Sequence, residues 1–156
     1  MLFRSATRCL IVGDGTLKAR FEKMVAQEGL AENFDFPGYV PYKDLPDFYR
    51  QMSLFVAPVW QESFGQVSCF AMNMGLPVVG YAVGAIPSIV GDERLLARYG
   101  DIDGLADLII DLLDNRRLRL DIGARNHVKA QALYSVEAML KRYSDLYDSM
   151  LAQVRA

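Results

Sequence analysis

One stretch, from Pro58 to Gly80, restricts what this chain can fold into more than any other. It combines the end of an apolar strand, an acidic loop at Glu62 to Gly65, a helix, a Gly-Leu-Pro stop and a second apolar strand. A strand, a helix and a strand in this order predict two parallel strands joined by a crossover helix. A lone carboxylate beside a glycine at the start of such a helix lies where α/β sheets bind ligands with phosphates and hydroxyls.

The same alternation of strands and helices continues along the chain. Apolar runs predict strands at 8–12, 34–36, 54–57, 78–81 and 95–97, and 84–87 is a predicted loop. Helical patterns predict helices at 16–27, 45–52, 66–74, 103–115, 117–133 and from 136 onward. Thr16 and Asp44 are the predicted N-caps of the first two helices. The apolar residues predicted to face the core from the last helix are Tyr143, Leu146, Tyr147 and Met150.

This pattern predicts an α/β fold with a Rossmann-like, doubly wound parallel sheet in three α/β/α layers. With 156 residues, of which 52% are apolar and 23% charged, we expect one domain over 1–156, with C-terminal helices at about 103–156. The net charge of −2 argues against a nucleic-acid partner.

The expected location is cytoplasmic. The first residues lack the pattern of a signal peptide, and no apolar run approaches the roughly 20 residues of a transmembrane segment. Cys9 and Cys69 form no metal-spaced motif and are interpreted as reduced thiols. His127, the only histidine, is interpreted as a surface residue without a catalytic or metal-binding role.

Four loops follow the predicted strands, at 13–15, 37–40, 58–65 and 81–87. Because ligands bind beyond the carboxyl ends of parallel strands, we expect these loops to converge on one crevice. Taken alone, the glycines of the first and last loops are explained as well by ordinary tight turns.

The acidic loop is the sharpest of these features. The Glu62 carboxylate can accept hydrogen bonds from hydroxyls, which suits a sugar. Gly65 would let a ligand lie against the backbone, and the amides of Gln66 and Val67 would face an anion. An acidic residue that only complements the helix dipole is the alternative, and it stays open at this point.

Several segments together match one family in order and spacing. They are Leu10 to Gly15, Phe36 to Val40, Phe55 to Pro58, Glu62 to Gly65, Gly75 to Val79, Gly84 to Pro87, Ala106 to Leu113 and Tyr143 to Leu151. They resemble the C-terminal, donor-binding domain of retaining GT-B glycosyltransferases of family 4, the group 1 glycosyl transferases. The resemblance covers nearly the whole chain.

The resemblance implies an enzyme of the hexosyltransferase type, which moves a sugar from a nucleotide-sugar donor to an acceptor. Glu62 matches a glutamate that contacts the hydroxyls of the donor sugar, and it is the predicted catalytic residue. The predicted donor-binding residues are Gly13, Gly15, Val40, Ser63, Phe64, Gly65, Gln66 and Val67. No metal or other cofactor is expected, because amides and basic side chains neutralise the leaving diphosphate in this family.

Three departures from the family pattern qualify this expectation. Phe70 stands where the family has a second glutamate that holds the ribose, so ribose binding is expected to be altered or lost. Ser88 stands where an acidic residue often follows. The family's earlier strand and helix, with a basic pair for the diphosphate, and its acceptor domain have no counterpart. We therefore expect that the isolated chain does not transfer sugar. We expect it to act with an acceptor-binding N-terminal domain or partner chain, and a homo-oligomer is a further alternative.

The absent strand would be the central one of the sheet. We hypothesise that the strands at Leu10 and Phe55 pair directly, which gives the order 2-1-3-4-5, and a strand lent by a partner chain is the alternative.

Two other functions stay open. One is a non-catalytic, glycosyltransferase-like module that binds a nucleotide sugar or a protein, which Phe70 favours. The other is a flavodoxin-like regulator, for which only Asp14 and Glu62 supply acidic groups at strand ends.

Overall fold

Two parallel sheets carry the fold, one in each of two units of the chain. The computed structural model describes residues 7–154. Contacts divide the chain into an N-terminal unit, Met1–Met52, and a C-terminal unit, Ser53–Ala156. The expected lack of a signal peptide concerns residues outside the described range. None of the described helices is both long enough and apolar enough to cross a membrane.

The N-terminal unit contains a two-stranded sheet. Its elements are β1 (Cys9–Val12), α1 (Lys18–Gln27), β2 (Phe34–Gly38) and α2 (Leu45–Tyr49), with a 3₁₀ turn at Ala31–Asn33. β1 and β2 are parallel, with Cys9 opposite Phe34 and Val12 opposite Gly38. The Gly13 N–H donates a 2.8 Å hydrogen bond to the Gly38 carbonyl. The glycine turn after β1 therefore lies beside the end of β2.

The C-terminal unit contains a three-stranded parallel sheet in the order β3-β4-β5. Its elements are β3 (Phe55–Ala57), α3 (Gln66–Asn73), β4 (Val78–Tyr81), α4 (Ile86–Val90), β5 (Leu96–Ala97), α5 (Ile102–Asp114), α6 (Arg116–Tyr134) and α7 (Val136–Val154), with a 3₁₀ turn at Glu93–Leu95. This unit holds the Pro58 to Gly80 stretch in the predicted strand, helix and strand form.

Strand β4 is the centre of the core of the C-terminal unit. All four of its residues are buried. Because successive side chains of a strand point to opposite faces, both faces of the sheet are covered at this strand. Helices α3, α4 and α5 all contact β4, and Met72 of α3 and Ile86 of α4 are fully buried. The apolar run at 78–81 thus forms a central strand, as its unbroken hydrophobicity predicts.

Polar caps set where the last three helices begin. The side chains of Asp101, Asn115 and Ser135 each accept a hydrogen bond from the N–H three residues later, at 2.9, 3.0 and 3.1 Å. Such a cap contributes about 1 kcal/mol to stability. The predicted starts at 103, 117 and 136 consequently agree with the structure to within one residue.

Helix α6 fixes the far ends of α3 and α4. The buried Asn126 donates a 2.8 Å hydrogen bond from its side-chain amide to the carbonyl of Leu76, just after α3. Lys129 donates a 2.6 Å hydrogen bond from Nζ to the carbonyl of Ile89, in α4. A cationic side chain at a helix C-terminus also interacts favourably with the helix dipole. One helix therefore holds the C-terminal ends of two others.

The predicted sheet order 2-1-3-4-5 is wrong. Within the described residues, β1 pairs with β2, β3 pairs with β4, and the two pairs belong to different sheets. An extended strand offers hydrogen-bonding groups along both edges, so the apolar composition of β1 does not decide which strand pairs with it. The α/β class with parallel strands is confirmed, and the single domain over 1–156 stays a prediction.

Three local predictions are also wrong. Thr16 does not cap α1, which begins at Lys18 with Leu17 at the N-cap position. Asp44 is at the N-cap of α2 but its side chain makes no capping hydrogen bond, and the helix ends at Tyr49. The predicted loop at 84–87 turns into α4 at Ile86. Proline is compatible with the first turn of a helix, which explains how α4 includes position 87.

Helix α7 presents its apolar residues to the surface. Tyr143, Leu146, Tyr147 and Met150 are between 51% and 61% exposed, so the prediction that they face the core is wrong. The periodicity correctly indicates a helix with an apolar face. It does not indicate whether any part of the same unit covers that face.

Candidate functional site

The acidic loop after β3 is held by its own backbone. Glu62 is half-buried, and one carboxylate oxygen, Oε1, accepts a 3.2 Å hydrogen bond from the Phe64 N–H. The Glu62 carbonyl accepts a 3.0 Å hydrogen bond from the Ala85 N–H, in the next loop. Both the main chain and the side chain of this residue therefore have a defined position. A carboxylate has room for further donors, because it offers about four acceptor sites.

Two glycines allow the loops at 62–65 and 84–87 to pack together. Gly65 has a φ of +76°, and a Cβ there would lie 2.3 Å from Cδ1 of Ile89. Gly84 has a φ of +50°, and a Cβ there would lie 2.0 Å from the carbonyl oxygen of Glu62. No other residue fits either position without displacing its neighbours. These two of the four predicted loops do meet.

Helix α3 begins directly behind Glu62. Gly65 is at its N-cap, and the Gly65 carbonyl accepts the first helical hydrogen bond, 3.1 Å from the Cys69 N–H. The side chains of Ser63, Phe64, Gln66 and Val67 are exposed around the buried Gly65. The start of the helix is thus at the surface, where its partial positive charge can act on an anion.

Ser68 is a polar residue of this region that the sequence reasoning missed. Its side chain is fully buried on the inner face of α3, and its Oγ has no hydrogen-bond partner in the part of the chain that the structure describes. A buried hydroxyl without a partner is uncommon, because it costs free energy. Ser68 stands three and four residues before the apolar Ala71 and Met72, so helical periodicity places all three on one face. That spacing is the sequence signal for its burial.

Cys69 belongs to helix α3, and Lys129 lies near it. Burial raises the pKa of the Cys69 thiol, so the thiol stays protonated near neutral pH and is a poor nucleophile. Burial lowers the pKa of Lys129. His127 is exposed, as predicted, and its Nδ1 lies 2.6 Å from the Asn73 carbonyl. These groups support the helices around the loop rather than a covalent step.

The predicted donor-binding residues of the N-terminal unit form a group of their own. Gly13 is exposed and has open space around it, and the Gly15 N–H donates a 2.8 Å hydrogen bond to the Asp14 carboxylate. Val40 is half-buried. Lys18, which the sequence reasoning did not select, places its Nζ 3.3 Å from where a Cβ of Gly38 would lie. The structure thus brings a cation to the glycine turns of this unit.

The predicted residues therefore fall into two groups. Glu62, Gly65 and Gly84 meet in the C-terminal unit, and Gly13 and Gly38 meet in the N-terminal unit. Convergence of all four loops on one crevice stays a prediction.

Comparison with known proteins decides the family. A sequence model of the family described as "Glycosyl transferases group 1" matches residues 2–115. This chain belongs to the group 1 glycosyltransferases. The match includes both groups of predicted residues, and it confirms the family that the residue pattern resembles.

Relatives of this group 1 glycosyltransferase agree in sequence and in fold. The 2-deoxystreptamine N-acetyl-D-glucosaminyltransferase of Streptomyces fradiae is 34% identical over 117 residues, which are 73% of this chain and 28% of that protein. The sucrose-phosphate synthase of Thermosynechococcus elongatus superimposes with a TM-score of 0.81 at 27% identity, over 92% of this chain and 38% of that one. A G117R mutant of the S. aureus protein TarM, in complex with UDP among other ligands, superimposes with a TM-score of 0.80 at 25% identity, over 91% of this chain and 29% of that one.

The group 1 chain thus spans between about a quarter and two fifths of the length of these relatives. The superpositions confirm the expected α/β fold with the parallel strands of a GT-B glycosyltransferase.

Proposed function

We propose that this chain is the donor-binding domain of a glycosyltransferase that moves a sugar from a nucleotide-sugar donor to an acceptor. One observation carries the proposal. In a member of this family, a half-buried glutamate is fixed by main-chain hydrogen bonds at the start of a helix. A carboxylate suits sugar hydroxyls, and a helix N-terminus suits the diphosphate.

In this proposal the loop and the helix divide the work of binding the donor. Glu62 accepts hydrogen bonds from hydroxyls of the donor sugar, using the acceptor sites that Phe64 does not occupy. The main chain at the start of the helix, from Gly65 to Val67, faces the diphosphate, and Ser63 and Phe64 lie beside it. The binding of UDP by TarM supports a nucleotide ligand for this fold. Gly13, Gly15 and Val40 are assigned to the nucleotide on the basis of the resemblance alone.

The proposed donor domain has two expected requirements, one concerning metals and one concerning an acceptor-binding domain. We expect no metal requirement, because main-chain amides and cations can balance the charge of the leaving diphosphate. We also expect transfer to need an acceptor-binding domain, because exclusion of water from the reacting sugar requires a closed site. The chain alone is therefore expected to bind the donor without turning it over.

Calorimetric titration of the chain with UDP, GDP, ADP and their common sugar conjugates tests the donor site. The matching sugar conjugate is expected to bind more tightly than its bare nucleotide. A hydrogen bond to a charged group contributes about 1.5–3 kcal/mol. Glu62→Ala should therefore raise the Kd of the sugar conjugate by about tenfold or more. Its effect on the bare nucleotide should be much smaller.

Glu137→Ala is the matched control, since Glu137 is an exposed glutamate in the first turn of α7. Equal binding of conjugate and nucleotide, or equal binding by Glu62→Ala and the wild type, would refute the role of Glu62.

A second candidate function is a non-catalytic module that binds a nucleotide sugar or a protein. Phe70 favours it, because an apolar, half-buried side chain in α3 occupies the position that the resemblance assigns to a ribose-binding glutamate. Phe70→Glu separates a donor domain from a protein-binding module. A donor domain with a weakened ribose contact should gain nucleotide affinity from this change, whereas a protein-binding module should gain none.

A further inference from the structure

Two exposed aromatic side chains line one open cavity of the C-terminal unit. Trp60, in the loop after β3, is 77% exposed, and Tyr99, just after β5, is 57% exposed. Together with Val59 and Gln61 they line an open, shallow depression of the surface. Aromatic side chains with a few polar groups beside them are typical of small-molecule binding sites. Neither aromatic residue contributes to the site described above.

The wall formed by Tyr99 is braced. Its ring meets the ring of Tyr81 edge to face, with centroids 6.0 Å apart and an angle of 75° between the planes. Tyr81 is the last residue of the central strand β4 and is buried. An edge-to-face contact of this kind holds a ring in place. The cavity thus has one wall attached to the core, although most of the Tyr99 side chain stays accessible.

The chemistry of the lining restricts the ligand. None of the described residues that line the cavity carries a charge, which disfavours a phosphate or carboxylate as the bound group. The faces of aromatic rings are electron-rich and attract C–H groups with partial positive charge. A pyranose ring presents such C–H groups on one face and hydroxyls at its rim. The Gln61 amide, the indole N–H and the Tyr99 hydroxyl can bond those hydroxyls.

We propose that Trp60, Gln61 and Tyr99 form a second carbohydrate subsite, which holds a neutral pyranose ring of the acceptor alongside the contacts that the acceptor-binding domain supplies. The proposal rests on the proposed function, in which Glu62 holds the donor sugar. Gln61 and Glu62 are consecutive, and consecutive Cα atoms are about 3.8 Å apart. The subsite and Glu62 therefore share one loop, which suits two sugars that must come together for transfer. The proposal names the acceptor as a glycan or glycoside.

Trp60 supplies its own assay, since it is the only tryptophan of the chain. The probes are the methyl glycosides of glucose, galactose, mannose and N-acetylglucosamine, titrated to about 100 mM, at which a Kd of about 10 mM gives near saturation. Stacking of a ring on an exposed indole removes water from it and shifts its emission to shorter wavelength. At least one glycoside is expected to give a saturable shift.

Variants of Tyr99 test whether the glycoside binds at this cavity. Tyr99→Leu should weaken the binding about five- to tenfold, because it removes one aromatic face, whereas Tyr99→Phe keeps the face and should retain most of the affinity. Tyr147→Leu is the matched control, because Tyr147 is a similarly exposed tyrosine, on α7.

The possible outcomes separate this proposal from the donor site. No shift with any glycoside, or a shift equal in Tyr99→Leu and the wild type, overturns the aromatic subsite, even if nucleotide sugars bind. A larger shift with the neutral nucleosides uridine, guanosine or adenosine than with any glycoside overturns its assignment to a sugar. A saturable glycoside shift that depends on Tyr99, without nucleotide-sugar binding, supports the subsite and refutes the donor site.

Discussion

Replacement of Gly84 by alanine should displace the Glu62 loop. Gly84 has a φ of +50°, a region that costs an alanine roughly 1–2 kcal/mol. The added Cβ would lie 2.0 Å from the Glu62 carbonyl oxygen and 2.9 Å from its carbon. Both atoms belong to the main chain and cannot rotate away, so the loop itself must move.

The expected loss of stability can be worked from these contacts. Movement of the loop breaks the hydrogen bond between the Ala85 N–H and the Glu62 carbonyl, which contributes about 1 kcal/mol. Accommodating an extra carbon in a packed site costs about 1–3 kcal/mol more. With the backbone penalty, Gly84→Ala should lose about 3–6 kcal/mol of the free energy of unfolding.

Gly100→Ala is the matched control. Gly100 is in the same unit and has a φ of +80°, but no atom lies within 4 Å of its added Cβ. It should lose only the backbone penalty of about 1–2 kcal/mol. Both substitutions restrict the unfolded chain equally, so that contribution cancels in the comparison.

Urea unfolding followed by circular dichroism measures both variants, since most of the helices belong to the C-terminal unit. Gly84→Ala should also weaken sugar-nucleotide binding, because it moves Glu62. Equal stability losses in the two variants would show that the Glu62 carbonyl is not held against Gly84, and the account of the loop would be wrong.

Two further predictions concern groups behind the site. Asn126→Ala should lose about 1–3 kcal/mol in the same unfolding assay, because it leaves the buried carbonyl of Leu76 without its donor; a loss below about 0.5 kcal/mol would contradict this. Burial raises the pKa of the Cys9 and Cys69 thiols above the ordinary value of 9.0, so the folded state keeps these protons longer than the unfolded state does. The thiols should therefore make stability fall as the pH rises above 9.0, and this fall should be smaller in a variant with serine at both positions.

The sequence predicts the local elements of the C-terminal unit well, because each depends on nearby residues. The run at 78–81 is apolar without interruption and forms the buried strand β4. The starts of α5, α6 and α7 follow from polar residues that cap them. Position 65 is a glycine between an acidic loop and a helix, and the structure gives it the positive φ that this role requires.

The contacts that local sequence patterns do not report join distant parts of the chain. The fit of Gly84 against the Glu62 carbonyl joins two loops about 20 residues apart, and no local pattern reports it. The pairing of β1 depends on which strand is beside it, and its apolar composition suits either neighbour. The apolar face of α7 predicts a covered surface, yet Tyr143 and Leu146 are exposed.

The attachment of α3 and α4 to α6 affects how variants of this protein should be sought. Both helices extend from the two loops that meet at Glu62, and α6 holds their opposite ends through Asn126 and Lys129. Gly123 belongs to the same contact, since a Cβ there would lie 2.1 Å from the Gly75 carbonyl oxygen. A mutant library confined to the site loops would leave out the positions that set the angles of both helices. A search for altered donor preference should therefore include positions 123, 126 and 129.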